Sequence, residues 1–163
     1  MDPAANKELS SCVKAAVRVR PLSKNEQTDL CQTCVDVQRT TNEIILANST
    51  AFTFDHVFLP STAQDEVYRE CIYDMIEGCF QGYSASILAY GQTGSGKTFT
   101  MGSGVEYTDP EMEGILPRAI MHIFQRCANY ERESEGKGLE IPKCVVSCQF
   151  IEVIEQLISI LNS

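Results

Sequence analysis

One run of eight residues, Gly91-Gln92-Thr93-Gly94-Ser95-Gly96-Lys97-Thr98, restricts this chain more than anything else in it. A glycine, four free positions and then Gly-Lys-Thr is the spacing of a loop that wraps phosphate. The glycines let the backbone curl without side-chain clashes, so successive N–H groups turn inward toward phosphate oxygens. Lys97 reaches the terminal phosphates of a nucleotide as a point charge, and the Thr98 hydroxyl is placed to ligate Mg²⁺. The loop follows an apolar run, Ile87-Leu88-Ala89-Tyr90, and opens into a segment that can start a helix. That predicts the strand–loop–helix order the motif requires. The competing reading, a glycine-rich turn with a solvated lysine, explains neither the spacing nor the context.

Composition narrows the setting. The 163 residues fit one domain with a sizeable core, at 44% hydrophobic and 21% charged content. A net charge of −9 argues against nucleic acid and against an anionic membrane as partners. Met1-Asp2-Pro3-Ala4-Ala5 lacks the basic start and apolar core of a secretory signal, and no stretch reaches membrane-spanning length. A cytoplasmic location is expected, with the eight cysteines mostly reduced. Cys31-Gln32-Thr33-Cys34 and the Cys144, Cys148 pair could be combined into a zinc site. However, i and i+4 on a strand lie too far apart to chelate one ion. The cysteines are therefore expected to behave as small buried hydrophobes.

Along the chain, Val13, Ala15, Val17 and Val19 alternate with Lys14, Ala16, Arg18 and Arg20, which predicts a strand ended by Pro21. Short strand-like pieces follow at residues 33–37, 43–46 and 51–54. Thr62 with Asp65 suggests a capping box, and Val67, Cys71, Ile72, Met75, Ile76, Cys79 and Phe80 repeat at helical spacing up to a stop at Gly82. Past the loop, residues 99–101 allow a brief helix. Residues 102–113 are acidic and turn-rich. A second helix is expected from Ile115 with Ala119, Ile120, Ile123, Phe124 and Cys127 along one stripe, before a charged, flexible stretch at residues 131–138. Residues 143–154 look like a strand, and residues 156–161 like a short helical tail. His56 and His122 sit in no acid–base constellation and are expected to be structural. Strands alternating with helices around a phosphate loop predict an α/β fold, a P-loop NTPase-like sheet flanked by helices.

Several further segments resemble the motor domain of kinesins. Val17-Arg18-Val19-Arg20-Pro21-Leu22 resembles that family's Arg-x-Arg-Pro strand, and Phe52-Thr53-Phe54-Asp55-His56-Val57-Phe58 its Phe-x-Phe-Asp-x-Val-Phe element. Gly82-Tyr83-Ser84-Ala85-Ser86-Ile87-Leu88-Ala89-Tyr90 leads into the phosphate loop as it does in kinesins, and Thr98-Phe99-Thr100-Met101-Gly102 continues the match. Gly114-Ile115-Leu116-Pro117-Arg118-Ala119-Ile120 resembles the helix that resumes after that family's loop insertion. The wording of residues 76–82 points to kinesin family four. The resemblance implies ATP and Mg²⁺ as ligands, with Arg18 and Pro21 framing the adenine, Arg20 beside them and Phe99 against the ring. It also implies a cytoskeletal setting and, in the complete motor, ATP hydrolysis coupled to movement on microtubules.

The same resemblance shows what residues 1–163 lack. Kinesins carry an Asn-x-x-Ser-Ser-Arg-Ser-His stretch and an Asp-Leu-Ala-Gly stretch, and neither occurs here. After Thr98 the only aspartate is Asp109, in the turn-rich segment, and Glu152 is the acidic residue on the strand near 150. At Phe150-Ile151-Glu152-Val153-Ile154-Glu155-Gln156 the family's Tyr-Asn-Glu is one residue short, and Ser159 stands where an acidic residue is usual. The chain is therefore expected to be the N-terminal part of a motor domain, apparently truncated, with no catalytic residue assigned. By itself it is not expected to contact tubulin. The alternative reading is a catalytically silent nucleotide-binding or pseudo-motor module. A small-molecule kinase is disfavoured because no lid arginines or acceptor site are recognisable.

Overall fold

The computed structural model describes residues 13–47, 50–102, 109–137, 143–154 and 157–161, with side chains up to residue 151. Strands and helices mix as an α/β chain should, and the strands form three small sheets. The chain divides into two compact units, residues 1–122 and 123–163.

In the first unit, β1 (Ala16–Arg18) pairs in parallel with β5 (His56–Phe58), Val17 opposite Val57. Asp55 extends the join, its carboxylate accepting from the Ala15 N–H at 2.7 Å. The excursion between these strands holds α1 (Lys24–Thr28) and an antiparallel meander of β2 (Val35–Gln38), β3 (Glu43–Leu46) and β4 (Thr50–Thr53). Asn42 takes a left-handed φ of 54° at the β2–β3 turn, a conformation asparagine tolerates better than most residues. The three meander strands match the expected strand-like pieces at 33–37, 43–46 and 51–54 to within two residues. β1 is shorter than the predicted strand, because its ladder runs only as far as β5 can match it.

The core gathers on β5 and the helices behind it. Val57 and Phe58 are each 1% exposed, and Val67, Tyr68, Ile72 and Ile76 on the helices that follow are buried too. Full burial of such side chains is worth about 1.5–3 kcal/mol each. The expected first helix is present as two pieces, α2 (Gln64–Cys71) and α3 (Tyr73–Phe80), meeting at Ile72 with φ −114°. Its capping box is absent. Ala63 occupies the cap, and buried Thr62 directs its carbonyl to Arg18 instead. The stop at Gly82 is as expected. Gly82 has φ +93°, with Gly82 N–H to the Cys79 carbonyl and Tyr83 N–H to the Gly78 carbonyl, which closes the helix with a left-handed turn. A different capping box does form, with Ser23 and Glu26 capping α1 reciprocally.

The apolar run at residues 87–90 is not a strand. A strand needs a ladder partner, β1 directs its ladder to β5, and among the described residues the run joins none. Leu88 and Tyr90 are 87% and 95% exposed. A brief helix, α4 (Lys97–Met101), follows the loop as expected. Residues 103–108 of the turn-rich segment lie outside the described residues, and its end forms a 3₁₀ turn at Pro110–Met112. The second long helix, α5 (Ile115–Gly136), extends through most of the stretch expected to be flexible. Its buried line is Ile115, Ala119 and His122, whereas Ile120 and Phe124 are exposed.

In the second unit, β6 (Phe150–Ile154) and β7 (Leu157–Leu161) form an antiparallel hairpin, Phe150 opposite Leu161. The predicted helical tail is thus a strand. Ile158 and Ile160 alternate with Ser159, and β-branched residues at period two pair readily with β6. The predicted strand at residues 143–154 is reduced to β6. The cysteines are mostly not buried: Cys31, Cys34, Cys79, Cys144 and Cys148 are exposed. All but Cys79 of these lie outside the helices and strands.

Candidate nucleotide site

The loop at residues 91–98 has the backbone its glycines allow. Gly94 and Gly96 take φ of +80° and +97°, and Gly91 +154°. A Cβ added at Gly91 would stand 2.5 Å from the Ser95 hydroxyl oxygen, so a side chain there would close the turn on itself. The Ser95 N–H donates to the Gln92 carbonyl at 3.1 Å, and α4 begins directly after Gly96. Lys97 Nζ donates to the carbonyls of Gly91 and Gln92, each at 2.8 Å. These two bonds hold the ammonium at the mouth of the loop and use two of its three donors. Gln92, Thr93, Gly94 and Thr98 are exposed, so the loop face and the Thr98 hydroxyl are open to solvent. A flexible glycine backbone, a positioned ammonium and a free-standing hydroxyl fit a Mg²⁺-nucleotide phosphate tail.

The end of β1 lies beside this loop. A Cβ built at Gly96 would be 4.0 Å from Arg20 Cβ. Arg20 is turned away from the loop by a two-pronged bond to Glu26, Nη1 to Oε2 at 2.7 Å and Nη2 to Oε1 at 2.5 Å. Bonds from Arg20 and from the Ser23 N–H hold the Glu26 carboxyl down at about 2. Pro21 is exposed at the same rim.

Arg18 points inward. Its Nη1 donates to Gln64 Oε1 at 2.7 Å and to Thr100 Oγ1 at 3.2 Å, and its Nη2 to the Thr62 carbonyl at 3.0 Å. The guanidinium lies 5.1 Å from the centre of the Phe99 ring. A base inserted between them would need about 7 Å, twice a van der Waals contact. Arg18 and Phe99 therefore form one stacked wall rather than the two sides of a slot. Burial pulls the Arg18 pKa below its ordinary value, and the acceptors around it keep the charge satisfied.

Gln64 was not legible as a site residue. It is 4% exposed and reaches three elements at once, accepting from Arg18 on β1 while its Nε2 donates to the Phe99 carbonyl of α4 at 2.7 Å and to the Met112 carbonyl at 3.2 Å. Arg118 closes the far side, with Nε to the Glu113 carbonyl and Nη2 to the Pro110 carbonyl, both at 2.9 Å. Gly102 and Gly114 meet back to back, since a Cβ on Gly102 would fall 2.8 Å from Gly114 Cα. A separate polar chain lies deeper. Tyr68 Oη meets His122 Nδ1 at 2.8 Å, His122 Nε2 meets Glu77 at 2.9 Å, and Tyr73 stacks on the imidazole. Burial first, then neighbouring groups, push the Tyr68 phenol up to about 12. With both ring nitrogens engaged inside the fold, His122 is placed as a structural residue. The side chain of Glu152 lies outside the described residues, and Asp109 caps the 3₁₀ turn.

Comparison with known proteins supplies the lineage. The sequence model of the kinesin motor domain matches residues 18–163. Kinesin-like protein KIF21B of Mus musculus is 43% identical over 154 residues, covering 93% of this chain and 9% of that protein. Kinesin-like protein KIN-4A of Gossypium hirsutum is 37% identical over 145 residues, covering 89% of this chain and 13% of that one. The chain thus spans a small part of these relatives. Among solved structures, Drosophila NOD is 33% identical with a TM-score of 0.64, over 76% of this chain and 40% of that one. That structure was docked with bovine tubulin into a map of nucleotide-free NOD complexed to the microtubule.

Proposed function

Since this chain belongs to the kinesin motor-domain family, we propose that residues 91–98 bind the phosphates of Mg–ATP, and that the complete motor couples ATP hydrolysis to movement along microtubules. The carrying observation is the loop itself, with left-handed glycines at 94 and 96 and the Lys97 ammonium fixed across its mouth. Lys97 binds the terminal phosphates, Thr98 holds Mg²⁺, and Gly91, Gln92, Thr93, Gly94, Ser95 and Gly96 contribute backbone. The adenine packs at the rim on Pro21 and the aliphatic stem of Arg20, with the stacked Arg18–Phe99 pair as the wall behind it. Residues 1–163 contain neither the Asn-x-x-Ser-Ser-Arg-Ser-His stretch nor the Asp-Leu-Ala-Gly stretch of kinesins. On their own they are a nucleotide-binding module without turnover.

Calorimetry with Mg–ATP on this chain tests the reading. A charge-assisted bond contributes about 1.5–3 kcal/mol, so Lys97→Ala is expected to weaken binding at least tenfold. Thr98→Ala is expected to weaken only the Mg²⁺-dependent part. Equal affinity with and without Lys97 refutes the phosphate-loop assignment. A microtubule-stimulated ATPase rate from residues 1–163 refutes the absence of turnover.

A further inference from the structure

Two thiols that the nucleotide site does not use face one cavity in the second unit. The cavity, of about 300 Å³, is lined by Phe124, Cys127, Ala128, Glu131, Cys144 and Val146. Cys127 comes from α5 and is half-buried, while Cys144 comes from the segment before β6 and is exposed, so a small oxidant can reach the pair. We propose that Cys127 and Cys144 form a reversible redox site, at which a disulfide-class oxidant converts the facing thiols into a bond that ties α5 to the segment leading into β6.

The two sulfurs lie within reach of each other across the cavity. Cys144 is held above the ordinary thiol range, first by its hydrogen bond with Cys127, then by desolvation and by the charges of Cys127 and Glu131. Either thiol can open the exchange, and both orders end in the same bond. When Cys127 opens it with oxidised glutathione as the oxidant, its thiolate attacks one glutathione sulfur and expels the other as a thiolate. Cys144 then loses its proton and attacks the Cys127 sulfur of the mixed disulfide, expelling the second glutathione. Two S–H bonds are lost, one S–S bond forms, and the two electrons and two protons leave on two molecules of glutathione. Neighbouring thiols gain from effective concentration what Cys144 lacks in thiolate. Cys148 is the internal comparator, because it lies on the same segment and is exposed but does not line the cavity.

The test is mapping by mass spectrometry of the unmodified chain after incubation in an oxidised-glutathione buffer, native and in urea. The expected native product is the Cys127–Cys144 linked peptide, at least tenfold more abundant than Cys127–Cys148 and reversed by dithiothreitol. In urea that preference is expected to disappear. Separate glutathione adducts on Cys127 and Cys144, or equal pairing with Cys148, overturn the proposal. So does an unchanged preference in urea, which would assign the pairing to sequence distance rather than to the cavity. Because the main readout uses the natural chain, no variant has to fold for the result to count.

Discussion

Replacing Gln64 with methionine should detach the phosphate-loop helix from its supports. Methionine keeps much of the volume and flexibility of glutamine, so packing is little disturbed and the change isolates the polar contacts. Three contacts disappear: acceptance from Arg18 at 2.7 Å and donation to the carbonyls of Phe99 and Met112 at 2.7 and 3.2 Å. Arg18 retains Thr100 and the Thr62 carbonyl, so its loss falls near the low end for a charged bond, about 1.5 kcal/mol. Each deprived carbonyl adds about 1 kcal/mol, and greater apolar burial returns about 1 kcal/mol. The net expectation is a destabilisation of about 2–3 kcal/mol. With a urea m-value of about 2 kcal/mol/M, the unfolding midpoint should fall by about 1–1.5 M, followed by helical circular dichroism. Mg–ATP affinity should fall with it, because the Phe99 carbonyl belongs to the helix that carries Lys97 and Thr98. A midpoint shift under about 0.3 M at unchanged m would refute the view that Gln64 is the polar tie among β1, α4 and the 3₁₀ turn.

Other outcomes follow from particular contacts. Glu26 has a folded pKa of about 2 against an ordinary 4.5, so its contribution to α1 is complete above about pH 4.5 and is lost as pH falls toward 2. An NMR titration should find that midpoint near 2, and a midpoint near 4.5 would mean the Arg20 and Ser23 bonds do not persist in solution. Gly114→Ala should destabilise by about 1–3 kcal/mol in a thermal or urea scan, since its Cβ would lie 2.6 Å from Gly102 Cα and the backbone must move; a neutral result contradicts the close approach. Tyr90→Ser should change stability by less than about 0.5 kcal/mol, because the ring is 95% exposed; a larger loss would show that the run before the loop is packed in solution.

What could be read in advance depended on how local the cause was. The turn at residues 91–96 and the end of α3 are both shaped by glycines with positive φ that the sequence displays locally. The meander strands β2, β3 and β4 fall within two residues of the strand-like pieces read from the sequence. Residues 87–90 have strand composition, but whether they join a sheet is decided by a distant partner. Gln64 was invisible for the same reason, since its three partners lie 46, 35 and 48 residues away. The capping box forms at Ser23 and not at Thr62. Ser23-x-x-Glu26 has the same pattern as Thr62-x-x-Asp65 with the longer carboxylate that reaches back, and Arg20 reinforces it. At residues 157–161 a short apolar run fitted both periods, and only pairing with β6 decided between them.

The meeting of Gly102 with Gly114 fixes both ends of the stretch between them, and its last turn, Pro110–Met112, is held as well by Gln64 and Arg118. The two ends of that stretch are fixed against each other at van der Waals distance, so the span it must cover does not depend on how many residues it holds. Doubling its length would add only about 0.6 kcal/mol of closure entropy, and the positions of Lys97 upstream and Ile115 downstream would not change. Residues added ahead of that turn are thus expected to leave the loop and α5 in place. For the same reason, a peptide tag grafted ahead of Pro110–Met112 is a way to label the protein close to residues 91–98.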